Sequence, residues 1–222
     1  MSDRRAPQIQ GVFRNHIVHV PEAIAGVSGI TIFGRTVKSL IFTTDVALIR
    51  NTDADAVIAV YPFTPQPAIT RAVMMAADIP VFCGVGGGIT TGKRVVDLAR
   101  DAEFQGALGV VVNAPTADET IRETAARIDI PIVVTVVNDH TDIAARLRVG
   151  ASILNVSCAA RTAAVVAAIR ADFPEVPIIA TGGPTEDSVK ATVEAGANAI
   201  TFTPPTCGEL FRDLMDKYRA TL

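Results

Sequence analysis

Glu175-Val176-Pro177-Ile178-Ile179-Ala180-Thr181-Gly182-Gly183-Pro184 runs from an acid through a proline and a short apolar run to a glycine turn. The opening recurs as Asp78-Ile79-Pro80-Val81 and Asp129-Ile130-Pro131-Ile132, so the prolines follow one another at 51 and 46 residues. Between these stretches, Gly106-Ala107, Gly150-Ala151 and Gly196-Ala197 open further apolar runs at intervals of 44 and 46 residues. The chain is therefore a repeat of about 46 residues holding two apolar runs per unit, an organisation to be recognised before any local reading.

Each run is short and rich in Val, Ile and Thr, as strands buried on both faces are. Strands are expected near 39–44, 56–61, 80–85, 107–113, 131–137, 151–157, 177–182 and 198–203. Helical segments follow them. Thr64-Pro65 reads as an N-cap and first-turn proline, Thr116-Ala117-Asp118-Glu119 as a capping box, and Thr185-Glu186-Asp187 as a cap with acids at a helix start. Eight βα units across 37–222, roughly 23 residues each, predict an α/β chain closed into a (β/α)8 TIM barrel. An open doubly wound sheet is the alternative. Residues 1–36 stand outside the count as an N-terminal extension. Phe13, Ile17, Val18, Val20, Ile30, Ile32 and Phe33 make it too apolar for a solvated tail. It is expected to cover the barrel base or join subunits in a homo-oligomer.

Composition narrows the partners. The chain has 222 residues, 49% hydrophobic and 19% charged, with a net charge of −3. Disorder is excluded by that balance. A basic field and aromatic stacking surfaces are missing, so nucleic acid is not expected as a partner. Cys83, Cys158 and Cys207 are too few and scattered for a disulfide scaffold and lack metal-ligand spacing. They read as reduced, packed thiols in a cytoplasmic protein. The N-terminus shows no signal segment and no apolar run reaches 18 residues, so no membrane span is expected. No metal and no cofactor is expected.

In a barrel of this kind the functional end is where strands finish. Alternation along a strand places Asn113, Asn155 and Ser157, and Thr201 and Thr203, on one parity, with Val112, Val156 and Phe202 on the other. Thr135 and Thr181 align with each other at the prolines, and Thr43 ends the first strand. Polar residues late in apolar strands predict a mouth lined with neutral donors and acceptors, suited to a phosphorylated or polyhydroxylated metabolite. The bland alternative is that each hydroxyl bonds a nearby carbonyl. Asp45, closing Ile41-Phe42-Thr43-Thr44-Asp45, is the first choice for a general base, with burial raising its pKa and Asp45→Asn lowering the rate about 10²–10⁴-fold. It is equally a natural N-cap for a helix at 46–51. His140, after the fifth strand, is the only histidine beyond the N-terminal segment and a second catalytic candidate.

Glycine turns suggest anion sites. Gly86, Gly87 and Gly88 lead toward Gly92-Lys93-Arg94, one residue short of a Walker A loop and without its Ser/Thr. Gly182 and Gly183, with Cys207 and Gly208 at the start of the last helix, form the usual phosphate location of such barrels. Over 177–210 the chain resembles the ribulose-phosphate-binding barrels, which include aldolases and sugar-phosphate epimerases, Gly182-Gly183 being the best match. The resemblance implies an isomerase or lyase acting on a phosphorylated carbonyl compound. Pro204-Pro205 departs from the small turn of those families, and Glu209 would repel a phosphate unless turned away. The whole pattern also resembles a group of bacterial single-domain barrels sometimes labelled hydrolases, a resemblance that supplies no mechanism; a hydrolase using Asp45 to activate water is the second reading. No lysine ends a strand, which disfavours Schiff-base chemistry. A non-enzymatic metabolite sensor is the third reading.

Overall fold

The computed structural model describes Pro7, Ile9, Gly11 and residues 16–221; Phe13 lies outside the described residues. Eight parallel strands close into a barrel: β3 (Ser39–Phe42), β4 (Ala56–Ala59), β5 (Val81–Gly86), β6 (Gly109–Val112), β7 (Ile132–Val136), β8 (Ile153–Val156), β9 (Ile178–Thr181) and β10 (Ala199–Phe202). Closure comes from β10 against β3, with Phe202 opposite Ile41. Each strand is followed by its helix: α1 (Val46–Arg50), α2 (Pro67–Ala76), α3 (Lys93–Phe104), α4 (Asp118–Ala125), α5 (Ile143–Arg148), α6 (Thr162–Asp172), α7 (Glu186–Glu194) and α8 (Cys207–Thr221). This is the (β/α)8 barrel, and the open sheet falls away.

The prolines of the repeat stand just before their strands, where a missing N–H is harmless. Their carbonyls still accept, from Val57 N–H at Pro80, Val110 N–H at Pro131 and Leu154 N–H at Pro177. Alternation then sorts the strands into two apolar layers. Ile41, Val57, Val110, Val134, Leu154 and Ile200 face outward and pack with helix residues such as Val95, Ile121 and Val166. Leu40, Ile58, Phe82, Val111, Val133, Ile153 and Ile179 face inward and fill the lower barrel. Phe82 fits because its neighbour is Gly109: a Cβ there would lie 2.8 Å from the ring.

Two helix starts differ from expectation. Of the two prolines after Thr64, the second takes the first helical position, so α2 begins at Pro67 rather than Pro65. The N-cap of α4 is Ala117, without a side-chain cap bond, and the Thr116 hydroxyl is buried with no partner among the described residues. Thr185 does cap α7, in a box closed by Ser188.

An antiparallel hairpin, β1 (Ile30–Ile32) with β2 (Arg35–Val37), precedes the barrel. Its Ile30, Ile32 and Val37 join the inner apolar cluster beneath Leu40. The base is also held by polar clips. Asp55 Oδ2 accepts from Lys38 N–H, Ser39 N–H and the Ser39 hydroxyl. Arg170 donates to the carbonyls of Pro174, Val176 and Gly196 and to Asn198 Oδ1, which also accepts from Ile178 N–H.

Candidate functional site

The strands' last inward positions enclose a cavity of about 280 Å³ at the barrel mouth. The pleat that sends Val112, Val156 and Phe202 into the outer layer sends Asn113, Asn155, Ser157, Thr201 and Thr203 to this cavity. Thr135 and Thr181 join them; register sets Thr135 opposite Asn155 and Thr181 opposite Thr201. Phe42, Ile58, Val60 and Val111 complete the wall. These four were not singled out from the sequence. Phe42, Ile58 and Val111 share the inward parity, which is the signal that finds them.

The hydrogen bonding of this ring is unusual for buried hydroxyls, which ordinarily bond a carbonyl nearby. Thr124, Thr162 and Thr192 do so, onto Thr120, Ala159 and Ser188. In the cavity, by contrast, Thr201 is 4% exposed and Asn155 9% exposed, and neither Thr201 Oγ1 nor Asn155 Oδ1 has a partner among the described residues. Asn155 Nδ2 makes a long contact of 3.4 Å to Thr135 Oγ1. A buried polar group without a partner costs about 1–3 kcal/mol, and these two atoms carry that penalty.

Among the described residues no titratable side chain lines the cavity. Asp45 does not reach it. Its carboxylate accepts from Ala47 N–H at 2.8 Å and Leu48 N–H at 3.4 Å, capping α1. The neighbouring Cys207 thiol is the first cause of a pKa below the ordinary value; the two backbone N–H groups add to this, and partial burial opposes it. The expected rise in pKa is therefore corrected: the residue after β3 is turned back onto its own helix. Thr43 follows it out of the wall, its Oγ1 accepting from Asp45 N–H. His140 is corrected too. Its side chain is 87% exposed, on the loop after β7, beside an Asp139 carboxylate that is paired with Arg161 and held below its ordinary pKa by it.

The expected anion cradle meets three opposing contacts. Gly182 N–H is engaged by Thr201 O within the sheet. Glu209 Oε2 accepts from both Thr206 N–H and its hydroxyl, which lowers the Glu209 pKa and sets a carboxylate over the start of α8. The Cys207 side chain neighbours a second carboxylate, Asp45, which raises the thiol's pKa. Gly183 and Gly208 remain exposed beside these negative charges. In the other glycine turn, Gly87 N–H is engaged by Thr90 O, and its missing side chain makes room for Asn113: a Cβ on Gly87 would sit 2.5 Å from that of Asn113. Gly86 is pressed likewise by Val95, and Gly88 is exposed. Lys93, the Walker-like lysine, pairs with Asp97 on its own helix at 2.7 Å. Gly86 and Gly87 are required by packing, and Gly88 by its positive φ of 68°.

None of the cysteines is activated. Burial pushes the Cys83 thiol up to about 12, and burial also raises Cys158. Among the described residues no group of three His, Cys, Asp or Glu side chains is placed to hold a metal, and no helix is long and apolar enough to cross a membrane.

The architecture has many solved counterparts at low sequence identity. A candidate phosphonomutase from Burkholderia cenocepacia J2315 is 16% identical, with a TM-score of 0.60 over 82% of this chain and 92% of that one. A phosphonopyruvate hydrolase is 12% identical, with a TM-score of 0.61 over 90% of this chain and 84% of the other. A mandelate oxidase is 14% identical, with a TM-score of 0.63 over 80% and 68% respectively. No family model and no curated protein matches the chain. At these identities the likeness shows the barrel fold, which hosts many unrelated chemistries. Fold and site together define a single (β/α)8 barrel with an uncharged, polar-lined mouth.

Proposed function

We propose that the mouth cavity binds a small uncharged molecule rich in hydroxyl or carbonyl oxygens, and that the chain works as a binding protein for it. The observation that carries this is the combination of Thr201 Oγ1 and Asn155 Oδ1, buried and unpartnered, with a cavity wall free of titratable groups. Unused donors and acceptors favour a polar ligand. The missing acid or base argues against proton transfer, since catalytic sites ordinarily hold at least one perturbed titratable group. The carboxylates at the start of α8 weigh against a phosphorylated ligand.

An isomerase or lyase is the second reading. It is favoured by the enzymes whose fold this chain shares, and its acid–base pair would have to be Asp45 and Cys207, which follow β3 and β10. Hydrolysis through Asp45 would need the same carboxylate to leave its cap.

Native mass spectrometry of the purified chain, followed by calorimetric titration of whatever is retained, tests the proposal. A neutral oxygen-rich compound should be recovered unchanged after prolonged incubation. Asn155→Leu should weaken its binding by about 10–100-fold, the worth of one or two buried hydrogen bonds. Steady conversion of the compound by the wild type would favour the enzymatic reading. Undiminished binding by Asn155→Leu would remove the site itself.

A further inference from the structure

Resting on that reading, we infer that the ligand is a single uncharged sugar ring, a pentose or hexose, lying with one C–H face on Phe42 and its hydroxyl edge toward β7–β10. The argument is the division of the cavity wall. Its apolar members come from β3, β4 and β6: Phe42, Ile58, with Val60 and Val111 beside them, and Asn113, just after β6, is the polar residue where this side meets β7. The opposite strands, β7 to β10, supply only hydroxyls and Asn155. In the closed order β3 to β10 these are two sides of the barrel, the apolar one interrupted at β5, which lends no side chain to the wall. Phe42 is 38% exposed despite its inward direction, one pleat above the fully buried Leu40, so much of its ring is open.

A ligand matching two unlike sides must itself be two-sided. Acyclic polyols and hydroxy acids carry oxygens along their whole length and have no extended apolar face to cover an aromatic ring. A planar heterocycle has two apolar faces and polar atoms only at its edge, so it would ask for apolar walls on both sides. A sugar ring offers one C–H face and a rim of hydroxyls. Contact of such a face with an aromatic ring removes apolar surface from water. Side-chain amides suit the rim, because each offers an acceptor and a donor side by side for adjacent hydroxyls. Asn155 has its acceptor free, and the Asn113 side chain has no hydrogen-bond partner among the described residues. Size agrees: about 280 Å³ is the liquid share of about nine waters, room for one ring. The absence of lysine and arginine from the wall selects the free sugar over its phosphate or acid.

Calorimetry of the full chain against ribose, xylose, glucose and galactose, their phosphate esters, sorbitol, hydroxyacetone and adenine tests this. At least one free sugar should bind, at least tenfold more tightly than its phosphate ester and than sorbitol. Phe42→Leu, checked for an intact thermal transition, should weaken it about tenfold, and Val60→Thr, which keeps shape while adding a hydroxyl to the apolar side, should weaken it severalfold. Binding of hydroxyacetone or adenine with no response to any sugar overturns the sugar inference and leaves the neutral-site reading standing. A phosphate ester binding more tightly than its parent overturns both. Sugar binding that is unchanged in both variants overturns the proposed orientation, and no binding by any free sugar overturns the inference.

Discussion

At the base of the barrel, Arg170 reaches four carbonyls and Asn198, and Asp55 gathers two backbone N–H groups and the Ser39 hydroxyl. At the mouth, a ring of equally polar side chains leaves Thr201 Oγ1 and Asn155 Oδ1 without a partner among the described residues. Both ends are built by the same strands, from residues of the same inward and outward alternation. Polar groups at the base are paired within the fold, Gln105 Oε1 excepted, and two of those lining the mouth are not. Barrels of this kind separate stability from function in the same direction.

The comparison breaks most visibly at Arg170. Arg170→Ala removes several charge-assisted bonds at once and strands the Pro174, Val176 and Gly196 carbonyls. A loss of about 3 kcal/mol or more is expected, since breaking buried polar networks costs at least the desolvation of the groups left behind. Urea unfolding measures it. Ligand affinity measured on the folded fraction should be unchanged. A loss below about 1 kcal/mol would mean that the base is not the clamped end.

Thr201 sharpens the contrast with an effect of opposite sign. Valine has threonine's shape without the hydroxyl. Because Thr201 Oγ1 is buried and unpartnered, Thr201→Val should stabilise the unliganded chain by about 1 kcal/mol, near the lower end of the cost of such a group. The same substitution should weaken ligand binding about tenfold. A gain in stability coupled to a loss of binding is the signature of a site held against its own folding preference. If Thr201→Val instead lowers stability, the hydroxyl belongs to the packing of the barrel and the mouth resembles the base.

The two ends also differ in how legible they are. Strands announced themselves, because eight short β-branched runs opened by prolines or by Gly-Ala leave little else for the chain to form. The neutral ring followed from parity alone, since a strand offers a side chain only two directions. Phe42 and Val111 obey the same parity but look like ordinary core, so the apolar half of the cavity was invisible without the closed barrel. Loop residues are a different case. A sequence shows that Asp45 and His140 follow strands, and it does not show whether a loop turns its side chain to the cavity, to a helix start or to solvent. Arg170 and Asn198 escaped notice because their partners are mostly backbone carbonyls and amides, and nothing in a sequence marks which of these a side chain reaches.

Asp45 carries the smallest expected effect and decides how the mouth is bounded. Its carboxylate caps α1 beside the Cys207 thiol. Asparagine caps a helix about as well as aspartate, so Asp45→Asn should change stability at pH 7 by less than about 0.5 kcal/mol. What it removes is the charge. The folded-state pKa lies below the ordinary 3.8, so ionised Asp45 contributes stability above that value, and the contribution fades as pH falls through the folded pKa. Wild type and variant should therefore converge in stability between about pH 4 and pH 2, as urea unfolding across that range would show. The variant should bind the mouth ligand as tightly as wild type, because the carboxylate is directed to the helix and not to the cavity wall. A tenfold loss of affinity, or the loss of a turnover that the wild type displays, would bring Asp45 back into the site. The boundary between the neutral ring and the charged rim would then have to be redrawn to include the start of α8, and the enzymatic reading would take precedence over the binding one.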